Sequence, residues 1–232
     1  MWNPGASAGQ TRARLYTAPR PQATLAVMFQ TVTMALDWLG IVVFAVTGAL
    51  MASRKQMDIV GFVLLGTVTG IGGGTFRDVV LGTLPVFWVQ NPAYLLTCVV
   101  VSCLVFFSAH IPQSRQRFLL WIDAIGLALF AVTGAEKALQ AETGPIVAVA
   151  MGVVTATFGG MIRDILGNES PVILSREIYA SAALAGALAF VALTGLGVPR
   201  EAALVGGFAV GFSVRAAALI GGWSLPRYRP RG

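Results

Sequence analysis

Two stretches of this chain set glycine runs beside adjacent opposite charges. The first reads Gly66-Thr67-Val68-Thr69-Gly70-Ile71-Gly72-Gly73-Gly74-Thr75-Phe76-Arg77-Asp78, and the second Gly152-Val153-Val154-Thr155-Ala156-Thr157-Phe158-Gly159-Gly160-Met161-Ile162-Arg163-Asp164. Both lie in apolar surroundings, where a charge costs a few kcal/mol even on insertion scales, so the four charged residues must pair, meet water or sit near an interface. Adjacent residues on a helix point about 100° apart, which favours pairing of Arg77 or Arg163 with a carboxylate elsewhere. Each glycine costs a helix about 1 kcal/mol relative to alanine. The runs at Gly72, Gly73, Gly74 and at Gly159, Gly160 are therefore read as helix breaks, tolerated at membrane depth only where buried in protein or lining a wet cavity. The chemistry this suits is transport across the membrane, and the breaks alone do not choose between solutes. For a cation, freed carbonyls and the hydroxyls of Thr69 and Thr155 would replace hydration water, Asp78 and Asp164 would favour the positive charge, and the arginines would pair with them or gate; for a small amino acid, the helix-break N-termini would hold its carboxylate. Two blander readings stand beside it: a fold-stabilising charge network at helix ends, and threonines bonded to their own helix.

The elements that carry these residues follow from composition. Of 232 residues, 56% are hydrophobic and 11% charged, and the mean hydropathy is +0.76. A soluble domain carries roughly a quarter charged residues, so the class is an all-α integral membrane protein. Uncharged runs long enough to span fall near 32–52, 59–82, 92–111, 118–137, 144–167, 177–198 and 201–222. The net charge of +6 comes from basic residues scattered singly or in small groups between those runs. These read as juxtamembrane anchors rather than a nucleic-acid face.

The chain repeats itself. Asp37-x-x-Gly40-x-x-x-Phe44-Ala45-Val46-Thr47-Gly48-Ala49 recurs as Asp123-x-x-Gly126-x-x-x-Phe130-Ala131-Val132-Thr133-Gly134-Ala135, an offset of 86 residues. The offset holds for Gly66 and Gly152, Thr69 and Thr155, Gly73-Gly74 and Gly159-Gly160, Arg77-Asp78 and Arg163-Asp164, and Pro85 and Pro171. Three helices per copy oblige the second copy to enter the membrane from the opposite side, an inverted repeat. The expected layout is a disordered tail at 1–30, a first three-helix repeat at 31–112, a second at 117–198, a seventh helix at 200–223 and a basic tail at 224–232. The Lys/Arg bias, with Arg54, Lys55, Arg115, Arg117, Arg176, Arg227, Arg229 and Arg231 on one side, places the N-terminus outside and the C-terminus in the cytoplasm.

Other residues carry weaker expectations. Asp37 and Asp123, near the starts of the first and fourth spans, suit helix capping or contact with an ion. Lys137 suits an interfacial anchor or a cation near a gate. Arg215, alone in the last span, pairs internally or snorkels, and His110 faces an interface. Gly40, Gly48, Gly126, Gly134 and Gly186 suit close helix packing. Cys98 and Cys103 diverge on one helix and read as packed thiols. No cofactor or metal is expected. A single histidine, the absence of a His/Cys cluster and glycines without a following Lys-Ser/Thr count against an enzyme.

The doubled Gly-x-Gly-Gly-Gly-x-x-Arg-Asp…Gly…Pro pattern, with seven spans, resembles the bacterial members of the trimeric intracellular cation channel (TRIC) family. It extends from about residue 33 to 222, with two departures in the second copy: Phe158 replaces the first glycine of the triplet, and Gly167 falls one place earlier than Gly82. The resemblance implies a homotrimer in the cell's inner membrane. Each protomer would hold its own path for monovalent cations, potassium foremost, lined by the second and fifth helices. The same repeat also carries a glycine-transporter label. The alternative is thus a secondary transporter of a small amino acid, with helix-break N-termini holding its carboxylate.

Overall fold

The computed structural model describes residues 21–108, 115–175, 177–224 and 226. Eight α-helices lie among them: α1 (Pro21–Arg54), α2 (Ile59–Leu81), α3 (Phe87–Gln90), α4 (Ala93–Ser108), α5 (Arg115–Gln140), α6 (Pro145–Leu166), α7 (Ala180–Gly195) and α8 (Arg200–Gly221). α1, α2, α5, α6 and α8 are long and apolar enough to cross a membrane, and α4 and α7 are apolar but shorter. α1 begins earlier than expected, taking in residues 21–30 that the sequence reading gave to a disordered tail. Residues 1–20, His110, Arg176 and the terminal arginines lie outside the described residues.

Local chemistry sets several helix limits. The Asp58 carboxylate accepts the Gly61 N–H at 2.8 Å and caps α2, while Pro145 opens α6 where no N–H is needed. α2 ends on Gly82 in the left-handed region (φ 69°). The position 86 residues on is Asn168, which takes the same conformation at φ 52°, so a residue that tolerates the left-handed region stands where the displaced glycine would have been.

The core is built of small residues where helices meet. A Cβ on Gly48 (α1) would overlap the Leu65 carbonyl of α2, and one on Gly134 (α5) would sit 2.7 Å from Thr155 Oγ1 of α6, the same contact 86 residues on. Gly40 faces Phe130 and Gly126 faces Phe44, whose rings meet edge to face with centroids 5.0 Å apart. α8 joins α7 where Gly186 and Gly211 touch through their backbones and packs also on α5. These glycines behave as close-packing residues, as expected. Large apolar side chains such as Val60, Leu96, Leu104 and Val205 point outward, a surface suited to hydrocarbon.

Candidate functional site

The glycine runs do not break their helices. α2 is continuous from Ile59 to Leu81 and α6 from Pro145 to Leu166. Tertiary packing holds them. The missing side chain of Gly73 leaves room for the Thr155 carbonyl oxygen of α6, and that of Gly159 for the Thr69 carbonyl oxygen of α2. Gly74 makes room for the Phe87 ring, and Gly160 for the Tyr179 hydroxyl. Beside this contact Phe76 stacks on Phe158, centroids 4.2 Å apart, while Ile162 lies over Gly72. Residues 72 and 158, and 76 and 162, are repeat equivalents, so each contact occurs twice with the roles of the copies exchanged. The carbonyls expected to be free stay in their helices, and the interhelical backbone contact offsets the low helix propensity of glycine.

Thr69 and Thr155 are buried in the same contact and donate to the carbonyls of Leu65 and Met151, each at 2.6 Å. Self-bonding therefore describes these two hydroxyls, as it does those of Thr47 and Thr157.

The charge pairing also differs from expectation. Arg77 Nε and Nη2 donate to Asp78 Oδ1 at 2.9 and 2.6 Å. Arg163 Nε donates to Asp164 Oδ1 at 3.0 Å and Nη1 to Asp123 Oδ1 at 2.5 Å. Neither arginine reaches a carboxylate of the other copy. The reason lies just past each helix: Asp78 Oδ2 accepts the Phe87 N–H at 2.9 Å, and Asp164 Oδ2 the Val172 N–H at 3.0 Å. Anchored in this way beneath the helix end, each carboxylate comes within reach of the long arginine next to it. Charge-assisted bonds of this kind compensate burial, and Arg77 and Arg163 are 2% and 1% exposed.

Asp37 and Asp123 lie inside α1 and α5 and are not caps. Asp37 pairs with Lys137 of α5, a bond between the two copies. The copies are also joined by Arg54 and Lys55, each 3.1 Å from Glu169 Oε1. Asp123 and Lys137 stand fourteen residues apart on α5, about 21 Å at 1.5 Å per residue. The cluster of Asp37, Arg77, Asp78 and Lys137 and the cluster of Asp123, Arg163 and Asp164 thus occupy opposite ends of that helix.

Two open cavities adjoin the first cluster. One, of about 250 Å³, is lined by Arg77, Asp78, Thr83, Phe87, Lys137 and Gln140 among others. The second, of about 340 Å³, is lined by Thr33, Met34, Asp37, Tyr94, Lys137 and Gln140. The Lys137 ammonium lies 5.6 Å and the Arg77 guanidinium 6.0 Å from the Phe87 ring centroid, within cation–π range. One turn deeper than Arg77, Gly73 and Gly74 begin the tight contact with α6 and Phe87. The polar recess therefore lies one turn from the close interhelical seam. Sequence reasoning missed Thr33, Phe87, Tyr94 and Gln140 because single polar or aromatic residues at span ends read as interfacial.

At the other end Tyr179 is buried, its hydroxyl against Gly160. Arg215 of α8 reaches the same place. Its Nη2 is 2.6 Å from Glu177 Oε2, its Nη1 donates to the Ile178 carbonyl at 3.2 Å, and its guanidinium lies 5.3 Å from the Tyr179 ring centroid. Arg215 thus pairs internally. Cys98 and Cys103 are free thiols, with Cys98 Sγ packed against Gly70.

Apolar helices closed around ion-paired arginines define a multi-pass helical membrane protein, and the doubled contacts define it as a two-copy one. The sequence profile described as "Glycine transporter" matches twice, at residues 34–110 and 120–195. The UPF0126 inner membrane protein YadS of Escherichia coli K12 is 42% identical over 195 residues, 83% of this chain and 94% of the relative. A UPF0126 membrane protein of Vibrio cholerae is 39% identical, covering 83% of this chain and 81% of its own. Among solved structures, the TRIC trimeric intracellular cation channel orthologue from Rhodobacter sphaeroides is 68% identical, with a TM-score of 0.82, and is covered completely by 84% of this chain. A prokaryotic TRIC channel crystallised in 0.5 M KCl is 32% identical, with a TM-score of 0.79, covering 84% of this chain and 100% of its own. The chain belongs to the bacterial TRIC channel family, whose repeat carries the glycine-transporter description.

Proposed function

We propose that this protein is a potassium-permeable monovalent cation channel with one path per protomer, assembled as a homotrimer in lipid. The observation that carries this reading is the polar recess around Asp37, Asp78 and Lys137, one helical turn along α2 from the glycine contact with α6. It occurs in a chain 68% identical to a solved TRIC orthologue. Carboxylates, hydroxyls and an amide around the recess favour cations, while Arg77 and Lys137, each paired with one of the carboxylates, balance them until Lys137 is drawn away. The backbone contact of α2 with α6 at Gly73 and Gly159 supports a closed path in the described conformation. Opening is a sliding or parting of these helices, for which glycine faces offer the least resistance.

Asp78 forms part of the entrance wall. Asp164, Asp123 and Arg163 serve as a buried anchor at the far end, and Thr69 and Thr155 meet the ion only when the seam opens. The seven expected spans are α1, α2, α4, α5, α6, α7 and α8, with the second copy inverted. The exchanged contacts and the two clusters at opposite ends of α5 support this arrangement. With the N-terminus outside, the recess faces outward and Arg54 and Lys55 face the cytoplasm, in an inner membrane like that named for YadS.

The test is single-channel recording of the purified chain in planar bilayers under a potassium chloride gradient. Discrete openings that reverse near the potassium potential support the channel. A silent bilayer across voltages, with saturable glycine uptake in proteoliposomes, would transfer the assignment to a transporter.

A further inference from the structure

Beside the recess, and unused in the ion path proposed above, lies Glu136. It precedes Lys137 on α5 but faces α8, and it is fully buried. Its Oε1 accepts from Gln140 Nε2 at 2.8 Å and from Arg200 Nη1 at 2.8 Å. Oε2 has no hydrogen-bond partner among the described residues. Gln140, one turn on, lines both cavities, as Lys137 does.

A glutamine amide has a donating end and an accepting end. Paired with the Arg200 guanidinium, the Glu136 carboxylate offers only lone pairs, so it holds Gln140 by its donating end. The carbonyl oxygen is thereby turned away from Glu136. In the second cavity the remaining wall brings the Asp37 carboxylate, the Tyr94 hydroxyl and Thr33 Oγ1, the last buried and without a partner among the described residues.

We infer that Glu136 is a positioning residue for the cation path: it fixes the Gln140 amide so that its oxygen, and not its NH2 group, faces the entrance. Through that orientation it helps set the preference for cations over anions. The idea rests on the channel reading. A free amide presents either end, and an NH2 turned inward would stabilise chloride and repel potassium.

The experiment measures the potassium-to-chloride permeability ratio of the full-length chain from reversal potentials, with thermal unfolding in detergent alongside. Glu136→Gln, which lets position 136 donate and Gln140 turn, is expected to lower the ratio about fivefold, the factor given by one hydrogen-bond-sized interaction of about 1 kcal/mol. Gln140→Leu lowers it by the same factor, and Glu136→Gln adds nothing in that background. Arg200→Gln takes away the charge that keeps the buried Glu136 carboxylate an acceptor only, and is expected to lower the unfolding temperature and the ratio together. A merely structural Glu136 would move the unfolding temperature alone. An unchanged ratio in Glu136→Gln, or additive effects of the two substitutions, overturns the inference. If Glu136→Gln does not fold, Gln140→Leu carries the test, and an unchanged ratio there overturns it equally. A wild-type chain without cation-selective current would instead defeat the channel reading itself.

Discussion

Substituting Gly73 by alanine separates packing from function at the seam. The added Cβ would overlap the Thr155 carbonyl oxygen, which belongs to the backbone of α6 and can retreat only if the helix does. Overpacking of this kind costs about 1–3 kcal/mol, against which the better helix propensity of alanine returns about 1 kcal/mol. The shut conformation should therefore lose up to about 2 kcal/mol. If opening parts α2 from α6, the strain is relieved in the open state. The propensity gain is common to both states, so about 1.4 kcal/mol of strain released on opening would raise the open-to-closed ratio about tenfold. Gly159→Ala, the exchanged half of the contact against the Thr69 carbonyl, should act alike. Gly72→Ala is the control: its Cβ would meet only the movable tip of Ile162 at 3.3 Å and the Gly159 Cα at 3.9 Å, so gating should barely shift. The assay is open probability from single-channel records, with unfolding temperature measured in detergent. Equal behaviour of all three variants would refute the close contact. A destabilised Gly73→Ala with unchanged or lower open probability would refute the placement of the closed gate at this seam.

Other outcomes follow from the charge network and the turns. Arg163→Met strips the partner from two buried carboxylates, Asp123 and Asp164, and Arg77→Met from Asp78 alone. Breaking a buried pair costs about 3–5 kcal/mol, so both variants should unfold at lower temperature and Arg163→Met should lose more; the reverse order would contradict the pairing. Lys137→Met removes a positive charge from both cavities while leaving Asp37 beside one that water can enter. Potassium conductance should rise at low salt and approach wild type near 1 M, where the Debye length is about 3 Å; a salt-independent change would exclude an electrostatic role. Asn168→Val puts a β-branched residue at φ 52° and should cost about 1–2 kcal/mol, whereas Asn168→Gly should be close to neutral; thermal unfolding distinguishes them.

The helices were legible because charges and prolines interrupt long apolar runs, and the duplication because unlike residues keep one offset. The glycine runs misled for a physical reason. Their helix cost is written in the sequence, but the carbonyl of Thr155 or Thr69 that each faces belongs to another helix 82 or 90 residues away. The Arg77–Asp78 pair was hidden similarly, since the Phe87 N–H that turns the carboxylate comes from a later turn. Lys137 drew attention as a charge near a span end, but nothing local ties it to Asp37, 100 residues earlier. Glu136 reads as the end of an apolar run, and only its contacts with Gln140 and Arg200 give it a direction.

The exchanged contacts at the seam have a consequence for ancestry. When Gly73 meets Thr155 and Gly159 meets Thr69, each copy supplies both the donor surface and the receiving one. Two identical chains of three helices, inserted in opposite senses, would satisfy every such contact without fusion. What fusion permitted was divergence. The place of Lys137 is held in the first copy by Met51, packed on Gly167. A self-paired ancestor would have carried the same residue at both faces. In this chain the two faces differ, with Lys137 paired to Asp37 at one and Met51 packed on Gly167 at the other, a polarity that a pair of twins could not possess.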